Sequence, residues 1–463
     1  MKITFIGATR MVTGSCYLIQ TKDINVLIDC GLFQGTKDDK QKNGKCFPFN
    51  PSEIQYLLLT HAHLDHSGLI PKLTKEGFTG KILATSATVD LCRVMLLDSA
   101  HIQEYDTAWE NKKRIRAGKT LLTPLYTVKE ANDSLAYFQG VRYNEIISLG
   151  HGIKVRFQDA GHILGSAIIE LWFGGDTGEK KLVLSGDLGQ KNLPLVKDPT
   201  PIEEGDYVLI ESTYGNRRHK GIQETTDEII QAVTESLKKG GNVVIPAFAV
   251  GRSQDILYIL NQMSREGKVN PFQIFMDSPM AIQATRITLK HLECLDKETL
   301  ELLEKGQLPG RSLTLKFTES VEDSKAINMV KSGAVIIAAS GMCDGGRILH
   351  HLKHNLWRSE CSVIFVGYQA RGTLGRRIVE GAKKVDIFGE EIAVKARIYT
   401  IGGLSAHADQ FGLIQWLGQF QKKPRRIFVT HGEEETALGF AESIKKQLNI
   451  DAYAPMCMEE VEI

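Results

Sequence analysis

The chain has 463 residues, 42% apolar and 24% charged, with a formal net charge of +1. This length allows two or three domains with sizeable cores, and the near-neutral balance excludes attraction to a polyanion by the whole-protein field, leaving local basic patches and metal ions for that role. The eight cysteines contain no Cys-x-x-Cys pair, which argues for small buried residues over a disulfide framework or a zinc knuckle.

The N-terminus, MKITFIGATR, enters a strand pattern directly, without a signal peptide's apolar core and cleavage site. No run reaches the length of a membrane span. A cytoplasmic protein with no membrane partner is therefore expected. Short β-branched runs at residues 3–6, 15–20, 24–28, 56–59 and 81–84 read as strands. Between Ala87 and Lys119 the pattern turns helical, with Leu91, Met95, Asp98 and Ile102 at three- to four-residue spacing. Strands resume at 153–157, 167–173, 181–184 and 207–210, several of them apolar enough for burial on both faces.

From about Gln223 helices and strands alternate. A helix over 225–239 stops at Gly240-Gly241, a strand covers 243–245, and a second helix runs from Ser253, the expected N-cap, through Arg265. Strands are expected at 274–276, 334–338 and 362–366, a βαβ rhythm that implies a parallel sheet with its own core. Strand-like sequence returns at 392–401 and 425–429.

The stretch Thr60-His61-Ala62-His63-Leu64-Asp65-His66 follows the apolar run 56–59 directly. Zinc favours imidazole nitrogen and carboxylate oxygen. Such a loop can serve two adjacent ions, one taking His61 and His63 and the other Asp65 and His66. Four further apolar runs end in one ligand-type residue each: His162, Asp187, Glu211 and His431. Sites in α/β proteins gather beyond strand C-termini, where the backbone is rigid.

In order, Asp29, His61-x-His63-x-Asp65-His66, His162 and Asp187 resemble the metallo-β-lactamase superfamily. Glu211 in Glu-Ser-Thr-Tyr-Gly, His407 in Ser-Ala-His-Ala-Asp and His431 in Val-Thr-His-Gly resemble its β-CASP branch of nucleic-acid-processing enzymes, as do the segments PAFAVGR, ASGMCDGGR and VGYQARGTLGR. The pattern is most similar to bacterial and archaeal relatives of the pre-mRNA 3′-end-processing endonuclease subunit.

The resemblance implies an α/β fold, a metallo-β-lactamase αββα sandwich with an inserted β-CASP α/β domain whose parallel sheet is flanked by helices. The expected domains are 1–213 and 392–463 for the sandwich and 214–391 for the insertion, which would form a lid over the substrate. Two zinc ions per chain are implied, one on His61, His63 and His162 and one on Asp65, His66 and His431, with Asp187 bridging. The implied catalytic set is His407, Glu211, Asp65 and Asp29, with Asp29 orienting the histidine loop and Glu211 keeping His407 protonated. A water-derived nucleophile would attack phosphorus in line, and His407 would protonate the departing 3′-oxygen, leaving 5′-phosphate and 3′-hydroxyl ends.

An RNA substrate is expected, because DNA-directed members typically carry valine where this chain keeps His431. Substrate contacts are expected from Arg252, Arg371, Ser340 and Ser405, and the run Asn216–Lys220 should lie near the site mouth. Lys112-Lys113-Arg114-x-Arg116 reads as a solvated face that a polyanion could use. His350, His351 and His354 read as structural or cleft-lining. Exonucleolytic relatives carry a further C-terminal domain and archaeal ones KH-type modules; neither pattern occurs here, so modest sequence specificity is expected. The short end 456–463 is compatible with a homodimer. Other readings share part of this pattern: a DNA hydrolase, set against by His431; a hydrolase of small esters or thioesters, which leaves Glu211, His407 and the insertion unexplained; and a non-catalytic RNA-binding partner subunit, which would have lost ligands.

Overall fold

The structure is a computed structural model that describes residues 1–174, 178–267, 272–307, 313–367, 369–370 and 372–463. Two units are resolved within it. Residues 1–191, 198–218 and 407–463 form the first, and residues 192–197 and 219–406 form the second.

The first unit contains two seven-stranded sheets. One runs in the order Glu459–Glu462, Lys2–Phe5, Tyr17–Gln20, Asn25–Ile28, Tyr56–Leu58, Lys81–Thr85 and Phe138–Val141. The other runs Ala452–Tyr453, Arg426–Thr430, Tyr207–Glu211, Lys180–Leu184, Ala167–Phe173, Ile153–Asp159 and Ile146–Gly150. Alternate residues of each strand face opposite ways. Ile3, Phe5, Val26 and Ile28 thus join Val155, Phe157, Ile169 and Leu171 in one core between the sheets. Ile168, Val183, Val208 and Ile210, one residue out of phase, pack instead on Leu413 and Trp416 of helix Gln410–Leu417 and Phe440 and Ile444 of helix Glu434–Leu448.

Strands Asn25–Ile28, Tyr56–Leu58 and Lys81–Thr85 are mutually parallel, as are Lys180–Leu184, Tyr207–Glu211 and Arg426–Thr430. Parallel strands bring their C-termini to one edge, so the residues that follow them are gathered by the pairing itself.

The second unit is built on a six-stranded, all-parallel sheet in the order Leu313–Phe317, Phe272–Met276, Ala334–Ala338, Val243–Pro246, Ser362–Val366 and Arg397–Ile401. One face packs on Ile229, Val233, Ile256 and Leu260 of helices Ile222–Lys238 and Arg252–Arg265. The other packs on Ile348, Leu352, Leu374 and Ile378 of helices Ile348–Asn355 and Leu374–Val379. Burial on both faces explains the unbroken apolar runs of these strands.

An αββα sandwich and a separate parallel α/β domain are the expected architecture. The expected insertion ends at 391, while the second unit of the structure runs on to 406. Arg397–Ile401 pairs in parallel with Ser362–Val366, which places 392–406 in the second unit. The run 392–401 is moreover two strands, Glu390–Ala393 and Arg397–Ile401. Two helix starts also move. Gly221 caps the helix that begins at Ile222, and Gly251, at φ +82°, precedes the one that begins at Arg252. Ser253 donates its hydroxyl to the Phe248 carbonyl instead of capping. The C-terminal segment read as available for self-association is an edge strand, Glu459–Glu462, paired antiparallel with Lys2–Phe5.

Candidate metal centre

His61, His162, Asp187, Glu211 and His431 each follow or end a strand of the first unit. His61 lies three residues past Leu58, Asp187 three past Leu184, and His431 one past Thr430, while Glu211 is the last residue of its strand. Two close approaches fix the loops that carry them. A Cβ on Gly31 would lie 1.6 Å from the Asp65 carbonyl oxygen, and one on Gly189 would lie 1.8 Å from that of Gly161, beside His162. Asp29 and His431 sit in the left-handed region at φ +57° and +50°, a conformation that is uncommon outside glycine and clusters at functional sites.

The side chains converge on Asp187. Its Oδ2 lies 3.4 Å from His61 Nε2 and 3.6 Å from His162 Nε2. Its Oδ1 lies 3.4 Å from both His66 Nε2 and His431 Nδ1. His63 Nδ1 faces His61 Nε2 at 3.1 Å and His162 Nε2 at 3.2 Å, and His66 Nε2 faces His431 Nε2 at 3.1 Å. Asp65 Oδ2 is 3.5 Å from His431 Nε2. The donor atoms thus form one set of His61, His63, His162 and Asp187 and an adjacent set of Asp65, His66 and His431.

The neutral His63 ring has at most one proton at Nδ1 for two neighbouring ring nitrogens, a crowding that a bound cation would relieve. Asp187 Oδ1 is buried and accepts no hydrogen bond among the described residues. Burial holds His61 well below the usual imidazole range and His63 at about 4, so both rings are neutral, the form that ligates metal. These residues fit a pair of divalent cations, and imidazole with carboxylate is the donor set zinc favours.

Three oxygens decide which nitrogen of each ring is offered, with tautomers assigned from the hydrogen-bond network. His66 Nδ1–H donates to Asp29 Oδ2 at 2.7 Å, leaving Nε2 for the site. Thr60 donates its hydroxyl to the same carboxylate oxygen at 2.9 Å and accepts from His61 Nδ1–H at 3.1 Å. Thr213 donates to the His431 carbonyl at 3.2 Å and accepts from its Nδ1–H at 3.1 Å. Burial pushes His66 down, but Asp187 and Asp29 outweigh it and hold that ring well above its usual value. Burial likewise pushes Asp65 up, but His431 and His66 bring it to about 2.

His407 stands beside this cluster, its Nδ1 3.1 and 3.2 Å from the two Glu211 oxygens. Glu211 is held in turn by the backbone N–H groups of Leu188 and Thr213. Burial lowers the His407 pKa, but Glu211 and Asp187 more than reverse this and raise it to about 9. His61, His66, His162 and Asp187 are buried, whereas Asp65 and His407 are about one-fifth exposed and mark the open side of the cluster. On the same unit, Tyr214 packs edge-on to His407 at 6.0 Å and Arg217 lies over the Tyr214 ring at 5.4 Å.

None of the expected substrate contacts is among the described residues of the first unit. Arg252, Ser340 and Ser405 are in the second unit, and Arg371 lies outside the described residues. Arg252 is 9% exposed and ion-paired with Asp255 at 3.1 Å. Ser340 Oγ is buried without a hydrogen bond among the described residues, and Ser405 is half-buried. His351 is fully buried and bonded to Asp277 at 2.6 Å, a structural role. Thr60 and Thr213 carry no signal in the sequence beyond adjacency to ligand motifs, because the Thr213 contact spans 218 residues of chain.

Three family models match the chain: the metallo-β-lactamase superfamily over residues 10–130, the β-CASP domain over 253–378, and the Zn-dependent metallo-hydrolase RNA specificity domain over 391–455. A ribonuclease of Thermus thermophilus is 38% identical, covering 95% of this chain and 94% of its own. A transcription termination factor of Methanosarcina mazei is 32% identical, covering 100% of this chain and 72% of its own. A solved structure of a protein of unknown function from Enterococcus faecalis superimposes with a TM-score of 0.58 at 11% identity, covering 100% of this chain and 99% of that one, a likeness of fold alone.

Fold, donor set and these similarities define a metal-dependent hydrolase. The chain belongs to the β-CASP branch of the metallo-β-lactamase superfamily.

Proposed function

We propose that the protein is a two-zinc ribonuclease that cuts RNA internally, leaving 5′-phosphate and 3′-hydroxyl ends. The observation that carries this reading is the single carboxylate, Asp187, shared by two adjacent donor sets with the His407–Glu211 pair beside it. His61, His63 and His162 would hold one ion, Asp65, His66 and His431 the other, and Asp187 both. When bound, such ions supply a water of lowered pKa and neutralise charge on non-bridging phosphate oxygens.

The remaining chemistry belongs to the chain. His407, raised to about 9, is protonated at neutral pH. With Nδ1 engaged by Glu211, the proton on Nε2 is the one available to the departing 3′-oxygen. Water as nucleophile leaves the ribose 2′-hydroxyl chemically dispensable, so RNA preference rests on contacts. Arg217 over Tyr214, next to His407, offers a cation and an aromatic face for an unstacked base. The ribonuclease relative at 38% identity supports the same substrate.

Matched RNA and DNA oligonucleotides, labelled at either end, provide the test. Internal RNA fragments with 5′-phosphates are expected, and little DNA cleavage. Stepwise release from the 5′ end would overturn the endonuclease assignment, and equal DNA cleavage the RNA assignment. Full activity of Asp187→Ala would overturn the two-ion site. The relatives that are transcription termination factors favour a second reading, in which the cut is directed at transcripts still being made. Adding the protein to a transcribing polymerase and scoring transcript release separates the two.

A further inference from the structure

The helix Ser86–Arg116 is 31 residues long, or about 46 Å at the usual rise per residue. Its buried residues end at Ala100, and its second half is half-buried or exposed. One side of that second half is covered by the returning chain. Ser99 bonds Tyr126 at 3.0 Å, Glu104 accepts from the Val128 N–H at 3.0 Å, and Asn111 clamps both backbone groups of Leu122. On the opposite side Ile102, Tyr105 and Trp109 are 51%, 67% and 56% exposed. Isolated exposed apolar residues need no explanation, but three on one helical stripe form a patch.

The stripe continues at heptad spacing, alternating steps of four and three, from half-buried Asp98 through Ile102, Tyr105, Trp109 and Lys112 to Arg116. Turned end for end, the series is complementary to itself. About a two-fold axis at residue 107, Tyr105 of one copy meets Trp109 of the other, Ile102 meets the Lys112 stem, and Asp98 meets Arg116. These are the alternating layers of an antiparallel coiled coil, with an aromatic centre, aliphatic flanks and an ion pair closing each end. A parallel pairing would set Arg116 against Arg116 and Asp98 against Asp98.

We propose that this helix is a homodimerisation element, paired antiparallel with a second copy of the chain about Tyr105 and Trp109. The contact is isologous and therefore closed at two copies. Its area, about 1,000 Å² in total, is at the lower limit for a specific interface, so dimerisation in the micromolar range is expected. It also gives the run Lys112–Arg116 a role that the hydrolytic site does not supply.

Sedimentation of the full chain over a wide concentration range tests this. The mass should rise from one chain, 51.4 kDa, towards two. Trp109→Glu should weaken association at least tenfold, with the thermal midpoint unchanged at concentrations where the chain is monomeric and the side chain is exposed. Asp98→Arg and Arg116→Asp should each weaken self-association several-fold, and an equimolar mixture of the two should dimerise again, because both end layers are then matched. A chain that stays monomeric, a dimer indifferent to Trp109→Glu, or a mixture that fails to pair would each overturn the proposal. So would a monomer that loses RNA binding with Trp109→Glu, which would make the stripe a nucleic-acid contact.

Discussion

Thr213 shows how a single hydroxyl sets the chemistry of a ligand it only touches from behind. It donates to the His431 carbonyl and so can only accept from Nδ1, which leaves the Nε2 lone pair facing His66. Thr213→Val, which keeps the volume and removes the oxygen, should weaken binding of one of two zinc equivalents by about 10–100-fold. Thr213→Ser should restore most of it. Titration against a chromogenic chelator reads both, and unchanged affinity in the valine variant would remove Thr213 from the site. Glu211 acts on His407 through charge as well as position. A general acid works only while protonated, so hydrolysis should persist at neutral pH and fall as pH rises through the His407 pKa, about 9. Glu211→Gln removes the main raising influence and should move that alkaline limb to lower pH by about one unit or more. A lower rate with the limb unmoved would leave Glu211 a purely structural part.

Between residues and whole molecule stand the elements that aim these side chains. The turn after Asn25–Ile28 lies so close to the ligand loop that a Gly31 Cβ would overlap the Asp65 carbonyl. In the second unit, Asp277 follows the strand Phe272–Met276 and ties three elements together. It accepts from His351 at 2.6 Å, Ser324 at 2.6 Å, and Thr318 and Arg347 at 2.7 Å. Burial pushes this carboxyl up, but those hydrogen bonds prevail and hold it at about 2, below the ordinary 3.8. The sign follows from a folded-state pKa below the unfolded one: the stabilisation is complete above about pH 4 and is lost as pH falls through 2. Asp277→Asn should abolish that pH dependence and cost about 3 kcal/mol at neutral pH, by leaving Arg347 without its counter-charge. Hydrogen exchange of Phe272–Met276 between pH 2 and 5 measures it, and equal slopes for variant and parent would refute the assignment.

At the scale of the molecule, the metal centre and the parallel sheet belong to different units. Without cations, the first unit must keep the Asp187 carboxylate and the imidazoles around it together in a buried site. Removing metal with a chelator should therefore abolish hydrolysis and speed hydrogen exchange around His61, His162 and Asp187, while the second unit's sheet stays protected. Zinc should restore both. Uniform loss of protection in the two units would contradict this division.

The sequence by itself marked the candidate ligands, because each ends or follows an apolar run and strand pairing delivers run ends to one edge. It also determined the alternation of helix and strand in the insertion, since period and turn residues are local properties. What the tertiary structure decided was non-local. It assigned Arg397–Ile401 to the second sheet, folded Glu459–Glu462 onto the first strand, buried Arg252 against Asp255, and brought Thr213 to His431 across 218 residues. A short strand carries no mark of its partner, and a lone threonine or arginine carries none of what it will face. Those identities arise only when the chain closes and each polar group must find a partner or remain in water.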